Sequence, residues 1–289
     1  MSHNDQALLF RCAQAAMVGI LSVPPTRASR GVLIVVGGPQ YRAGSHRQFA
    51  LLARDLADSG TAAMRFDYRG MGDSEGGGRS FDNVNDDLHA AVDAFFEAVP
   101  TLESVVLWGL CDGACAALFY APGDTRVSGL VLLNPWVHTD GGAARTMLKH
   151  YYTARLMDRA FWHKLLRGRF DPLAAARSLV QTLLKASLEA KTVAPNLGDP
   201  TCQVGKDTLP DRMRRSFHDF QGQVLLIISG RDLTAKQFLD TVAGSPEWRR
   251  LIQLPRVTRH NLADADHTFS RRAWRDQVAA WTTNWLDSW

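Results

Sequence analysis

The chain has 289 residues, 46% of them hydrophobic, which is enough for one large domain with or without an insertion. Its 33 basic and 29 acidic residues leave a formal net charge of +4 and are spread along the chain; the arginine pairs at 214–215, 249–250 and 271–272 read as solvated surface, and without a basic face no nucleic-acid partner is expected. The four cysteines, Cys12, Cys111, Cys115 and Cys202, show neither a disulfide framework nor zinc spacing, and no signal segment or bilayer-length apolar run is visible; the expected setting is a reduced cytoplasm, with no transmembrane segment.

In chain order, short apolar runs at 17–23, 32–36, 62–66, 105–108, 130–133, 224–228 and 251–254 read as strands. Most are continuously apolar, as strands covered on both faces of a parallel sheet must be. Helical patterns fall between them, at 47–58, 83–98, 113–120 and 235–242, and a last amphipathic helix is expected over 272–289. Strands alternating with helices predict an α/β fold with a doubly wound, mostly parallel sheet. The alternation breaks between Trp136 and Phe220, where helical patterns at 144–157, 159–166 and 172–188 precede a polar stretch, 191–211, read as loop. The expected organisation is therefore a core of residues 1–135 and 221–289 with a helical cap over 136–220. Trp136, Tyr151, Tyr152, Met157, Phe161 and Trp162 make that cap rich in large apolar side chains, some for the core and some for an apolar pocket.

The sharpest local signal is Gly109-Leu110-Cys111-Asp112-Gly113, which joins a buried strand to a small-residue helix. This is the nucleophile-elbow spacing, with Cys where Ser is usual. Side chains at Gly109 and Gly113 would collide in so tight a turn. The helix N-terminus places partial positive charge beside the Cys111 sulfur, which favours thiolate. The plainer alternative is a buried cysteine in a glycine-bounded turn. Cys115, about one helical turn further on, reads as core packing; a zinc site with Cys111, Cys115 and His267 would leave the glycines unexplained.

A nucleophile so placed needs an acid and a base after later strands, in that order. Asp232 follows the run at 224–228, where ligands meet open sheets. His267 follows the run at 251–254 and precedes the last helix. His267 would take or share the Cys111 proton, and Asp232 would fix its tautomer. His46, His138 and His260 are the competing bases; Asp264 and Asp266 are competing acids that suit loop capping better.

Two backbone N–H groups must hold the developing oxyanion. Asp112, after the nucleophile, supplies one. The loop Val36-Gly37-Gly38-Pro39-Gln40 supplies the other, at Gly38, because Pro39 has no N–H. Asp67-Tyr68-Arg69-Gly70-Met71-Gly72-Asp73-Ser74 follows a strand and reads as a loop that braces the site; its glycine spacing is not that of a nucleotide-binding loop.

Together, the elbow, the Asp-x-Arg-Gly-x-Gly-x-Ser segment, the Asp after one strand and the His after the next resemble the α/β-hydrolase superfamily from about Gly19 onward. The strings at 37–42, 45–49 and 108–112 resemble the exosortase A system-associated hydrolases of the hydrolase 1 type. The resemblance implies Cys111, Asp232 and His267 as triad and Gly38 and Asp112 as oxyanion donors. Many superfamily members carry His before the oxyanion-loop glycine, where this chain has Val36, so Gln40 or Arg69 is expected to brace the loop instead. Dienelactone hydrolases share the cysteine on the same fold. The expected activity is hydrolysis of an ester, thioester or related acyl bond of a small molecule through a thioacyl intermediate, with no metal and no cofactor. The alternatives are acyl transfer, lactone or C–C hydrolysis, and a catalytically silent fold that binds a lipid or a protein partner.

Overall fold

The computed structural model describes residues 4–38, 40–137 and 207–289. Eight strands form one sheet: β1 (Asn4–Cys12), β2 (Ala15–Val23), β3 (Arg30–Val35), β4 (Ala62–Phe66), β5 (Ser104–Leu110), β6 (Val127–Leu133), β7 (Gln223–Ser229) and β8 (Val257–Leu262). Their order is β1-β2-β4-β3-β5-β6-β7-β8. β2 pairs antiparallel with β1 and with β4, and every later pairing is parallel. This is the doubly wound, mostly parallel α/β sheet that the alternating pattern predicts, and the α/β-hydrolase fold that the resemblance implies.

The continuous apolar runs follow from two covered faces. Along β5, Val105 and Leu107 point into one core, and Val106, Trp108 and Leu110 into the other. β7 splits in the same way, Val224, Leu226 and Ile228 against Leu225 and Ile227. On the first face lie α2 (Asn85–Ala98), α3 (Asp112–Tyr120) and α4 (Leu209–Asp219), followed by α5 (Leu233–Gly244) and α6 (Pro246–Leu251). On the second lie α1 (Gln48–Asp58) and α7 (Arg272–Leu286). Burying alternate residues on both sides makes the middle of β3, β5, β6 and β7 continuously apolar, while β4 buries Arg65.

Three assignments differ from the sequence reading. The first is the last strand, which is Val257–Leu262 and not 251–254. Leu251 and Ile252 are buried at the end of α6, whose N-terminus Ser245 caps by accepting from the Trp248 N–H at 3.3 Å. β8 is an edge strand with Thr258, Arg259 and Asn261 exposed, so its sequence is polar. The second is β1, an antiparallel partner of β2 that the sequence reading left without a strand. The third is α4. Asp211, placed in a loop, forms with Thr208 a capping box at its start, and Met213 and Phe217 are buried in the first core. Residues 209–219, expected in the cap, thus belong with the sheet. Residues 138–206 of the expected cap, including Trp162, Cys202 and the patterns at 144–157, 159–166 and 172–188, lie outside the described residues, while Trp136 at its start packs partly buried against the first core. Among the described residues, no helix is long and apolar enough to cross a membrane, and no three His, Cys, Asp or Glu groups gather as metal ligands.

Candidate active site

β3, β5 and β6 run side by side and end together: Val35 lies opposite Gly109, and Gly109 opposite Leu132. Cys111 stands just past the end of β5 with φ 60° and ψ −122°. A non-glycine residue holds such a backbone only when its surroundings enforce it. Here the Cys111 N–H donates to the Leu133 carbonyl at 2.9 Å, and the Cys111 carbonyl accepts from the N–H groups of Ala114, Cys115 and Trp136. A Cβ on Gly109 would lie 2.5 Å from the Gly113 carbonyl, and one on Gly113 would lie 2.6 Å from the Val35 oxygen. The elbow therefore packs backbone against backbone, and the two glycines are what permit it. The Cys111 side chain is left partly exposed.

Cys115 is fully buried, with its Sγ 3.0 Å from the Trp136 carbonyl oxygen. Burial pushes its thiol pKa well up, so it is core and not a second nucleophile.

The candidate acid and base come from the ends of the next two strands beyond β6. Asp232 caps α5: its carboxylate accepts from the N–H groups of Thr234 and Ala235, each at 3.1 Å. The same carboxylate accepts from His267 Nδ1 at 2.8 Å. Two fixed N–H donors hold the carboxylate so that the imidazole has one orientation to adopt. Hydrogen bonds to Asp232 and then to Cys111 raise the His267 pKa to about 10, against the opposing effect of burial. Asp264 pairs with Arg231 at 2.7 Å, and Asp266 accepts from the Ser270 N–H and hydroxyl. Asp266 caps its loop, whereas Asp264 makes an exposed ion pair. His260 lies in β8, stacked on Trp281.

Asn134 is a residue that sequence reasoning missed. It is fully buried with φ 43°. Its side-chain amide donates to the His267 carbonyl at 3.1 Å and accepts from the Ser229 N–H at 2.9 Å. It joins the end of β6 to the end of β7 and to the base's own loop. The signal was Asn134-Pro135 straight after a strand, a turn dipeptide at the sheet's ligand-facing edge.

The oxyanion loop is braced by other residues than those expected. Arg69 does not reach it: its guanidinium makes a bidentate pair with Asp87 at 2.8 and 2.9 Å. Gln40 Oε1 is buried without a hydrogen-bond partner among the described residues. On one side of the loop, the Arg42 N–H and guanidinium bind Asp67. On the other, the Gly38 N–H donates to the Asp112 carboxylate at 2.8 Å, and the Gly113 N–H donates to the same carboxylate at 3.0 Å. Burial raises the Asp112 pKa, and the N–H groups of Gly38, Gly113 and Asp112 itself hold it down in part. Segment 67–75 is a brace. Asp67 receives Arg42 and the Asp73 N–H, and the Ser74 hydroxyl accepts from the Val18 N–H of β2 at 3.0 Å.

Comparison with known proteins agrees with the fold. Among solved structures, an esterase of Pyrococcus furiosus superposes with a TM-score of 0.66 at 15% identity, over 100% of this chain and 91% of that one. The Est1E protein of Butyrivibrio proteoclasticus, solved with ferulic acid bound, gives 0.61 at 16%, over 98% and 100%. A dienelactone hydrolase of Anabaena variabilis gives 0.59 at 14%, over 100% and 99%. At these identities the likeness is one of fold. The comparison with curated proteins gave no match. Residues 27–237, well over half of the chain and including the elbow and Asp232, match the family model described as Serine aminopeptidase, S33. The chain belongs to that family of the α/β-hydrolase superfamily.

Proposed function

We propose that the protein is an acyl hydrolase with Cys111 as nucleophile, His267 as acid–base and Asp232 as the group that orients it. What supports this reading is the hydrogen bond between Asp232 and His267 at the end of the sheet where the Cys111 elbow stands, with the Cys111 side chain among the causes that raise the His267 pKa. In the proposed reaction the Cys111 sulfur adds to an ester or thioester carbonyl while the π pair moves to oxygen. The N–H groups of Gly38 and Asp112 hold that oxygen. Collapse of the adduct expels the leaving group, which takes the His267 proton, and leaves a thioacyl enzyme. His267 then draws a proton from water as it attacks the thioester, and Cys111 departs as thiolate. No step calls for a metal or an organic cofactor.

The resemblance to exosortase A system-associated hydrolases extends the proposal to a role linked to exosortase and exopolysaccharide systems, without naming the acyl substrate. The second reading is a silent fold that binds a partner. One observation favours it: the Gly38 N–H is already taken by the Asp112 carboxylate. The test is a turnover screen over esters, thioesters and lactones, with intact-mass detection of an acyl group on Cys111. Turnover that persists in Cys111→Ala, or an acyl group found elsewhere, overturns the proposal.

A further inference from the structure

The N–H of Gly38 has one proton to give, and it gives it to Asp112. The seat is built for that carboxylate. Its other oxygen accepts from the Gly113 N–H at 3.0 Å. Gly37 has no side chain where a Cβ would overlap the carboxylate, so the loop can close over it. The Gly38 donor assigned to the oxyanion thus faces an anion that is already part of the protein. A carboxylate and a carbonyl-derived oxyanion cannot share one N–H, since each needs the same proton and both are negative.

We infer that the Asp112 side chain is an internal occupant of the oxyanion hole, which must withdraw from Gly38 before the acyl adduct on Cys111 can be held. This rests on the assignment of Cys111 as nucleophile. It makes Asp112 a positioning residue with two parts that act in opposite directions: its backbone N–H serves the adduct and its side chain competes with it. The competition selects for substrates whose remaining binding contacts can displace the carboxylate, and it leaves the hole closed toward small acyl compounds that have none.

The test separates sulfur reactivity from oxyanion binding. Iodoacetamide alkylates the Cys111 sulfur by displacing iodide and needs no oxyanion donor. Hexanal adds reversibly: a bond forms between Sγ and the aldehyde carbon, the carbonyl π pair withdraws onto oxygen, no leaving group departs, and the oxygen requires the hole. Protection of Cys111 by hexanal against iodoacetamide, read by peptide mass mapping, therefore reports the hole in the intact protein. In Asp112→Ala, the concentration that protects should fall about ten-fold or more, the scale of a hydrogen bond to a charged group, while alkylation without hexanal continues. Asp112→Asn keeps the size and offers a single neutral acceptor, so it should shift the same way by about three-fold. It also serves if the alanine variant loses its cooperative melt. Equal or weaker protection in both variants, with alkylation retained, overturns the inference and makes the carboxylate a permanent brace. Absence of selective Cys111 alkylation in the unaltered protein would instead overturn the triad beneath it.

Discussion

The two halves of the candidate site are built by different physics. The nucleophile half is set by exclusion. Gly109 and Gly113 bring backbone atoms so close that a single added carbon would overlap them, and the left-handed turn at Cys111 is pinned by main-chain hydrogen bonds. The acid–base half is set by attraction. Asp232 is aimed by two N–H groups of its own helix, and His267 is aimed by Asp232. Position is thus fixed by atoms that cannot move aside, and charge by bonds that one substitution can remove. Damage to the first half should appear as lost stability, and damage to the second as lost reactivity in a protein that still folds.

The largest effect should come from the one atom that belongs to both halves. Cys111→Ala is expected to lower turnover by roughly 10⁴-fold or more, as loss of a unit nucleophile does, with an unchanged melting curve. Cys111→Ser should be poor as well, because a hydroxyl asks more of the base. A melt lowered in step with activity would deny the division drawn above.

Next is the acid–base half. Asp232→Asn can still cap α5, since Asn caps as well as Asp, but it can no longer hold the imidazolium as an ion pair. Turnover should fall by about 10²-fold or more with little loss of stability. His267→Ala should also slow iodoacetamide alkylation of Cys111 near neutral pH, since the cation facing the sulfur is gone. Cys12 and Cys115, whose pKa values burial raises, should label slowly in every variant. Equal labelling of Cys111 with and without His267 would break the pairing.

Gly113→Ala probes the other half. The overlap with Val35 should cost about 3 kcal/mol in urea unfolding, at or beyond the usual range for overpacking, and Cys111 should label at its ordinary rate in whatever fraction stays folded. Asn134→Ala, which leaves the Ser229 N–H without its acceptor, should cost about 1–3 kcal/mol and reduce turnover less than either triad change.

The remaining effect is the pH dependence of stability. The folded-state pKa of His267, about 10, lies above its ordinary 6.5. Its contribution is therefore fully present below 6.5 and is lost as pH rises through about 10. Urea unfolding across that window should show a falling component in the unaltered protein that His267→Ala lacks.

What the sequence disclosed follows the same division. The elbow was legible because exclusion writes glycines at fixed spacing. The central strands were legible because two buried faces write unbroken apolar runs. β8 was not, since an edge strand exposes Thr258, Arg259 and Asn261, while the buried end of α6, Leu251 and Ile252, imitates a strand. Asp232 and His267 were found by their order after strands, which survived the shift of β8. The role of the Asp112 side chain was hidden because it depends on Gly37 and Gly38, brought over it from far away in the chain. Arg69 was assigned to the oxyanion loop because its partner Asp87, on another helix, could not be read as such.

The hydrogen bond from Asn134 to the His267 carbonyl spans 133 residues of chain. A loop of that size closes late in folding, because its entropy cost falls due before the contact can repay it. The base therefore reaches its working position only after β6 and β7 have paired and the terminal helix has docked. During refolding, recovery of His267-dependent thiol reactivity should lag behind recovery of helical circular dichroism, which makes the active cysteine a clock for the last stage of assembly.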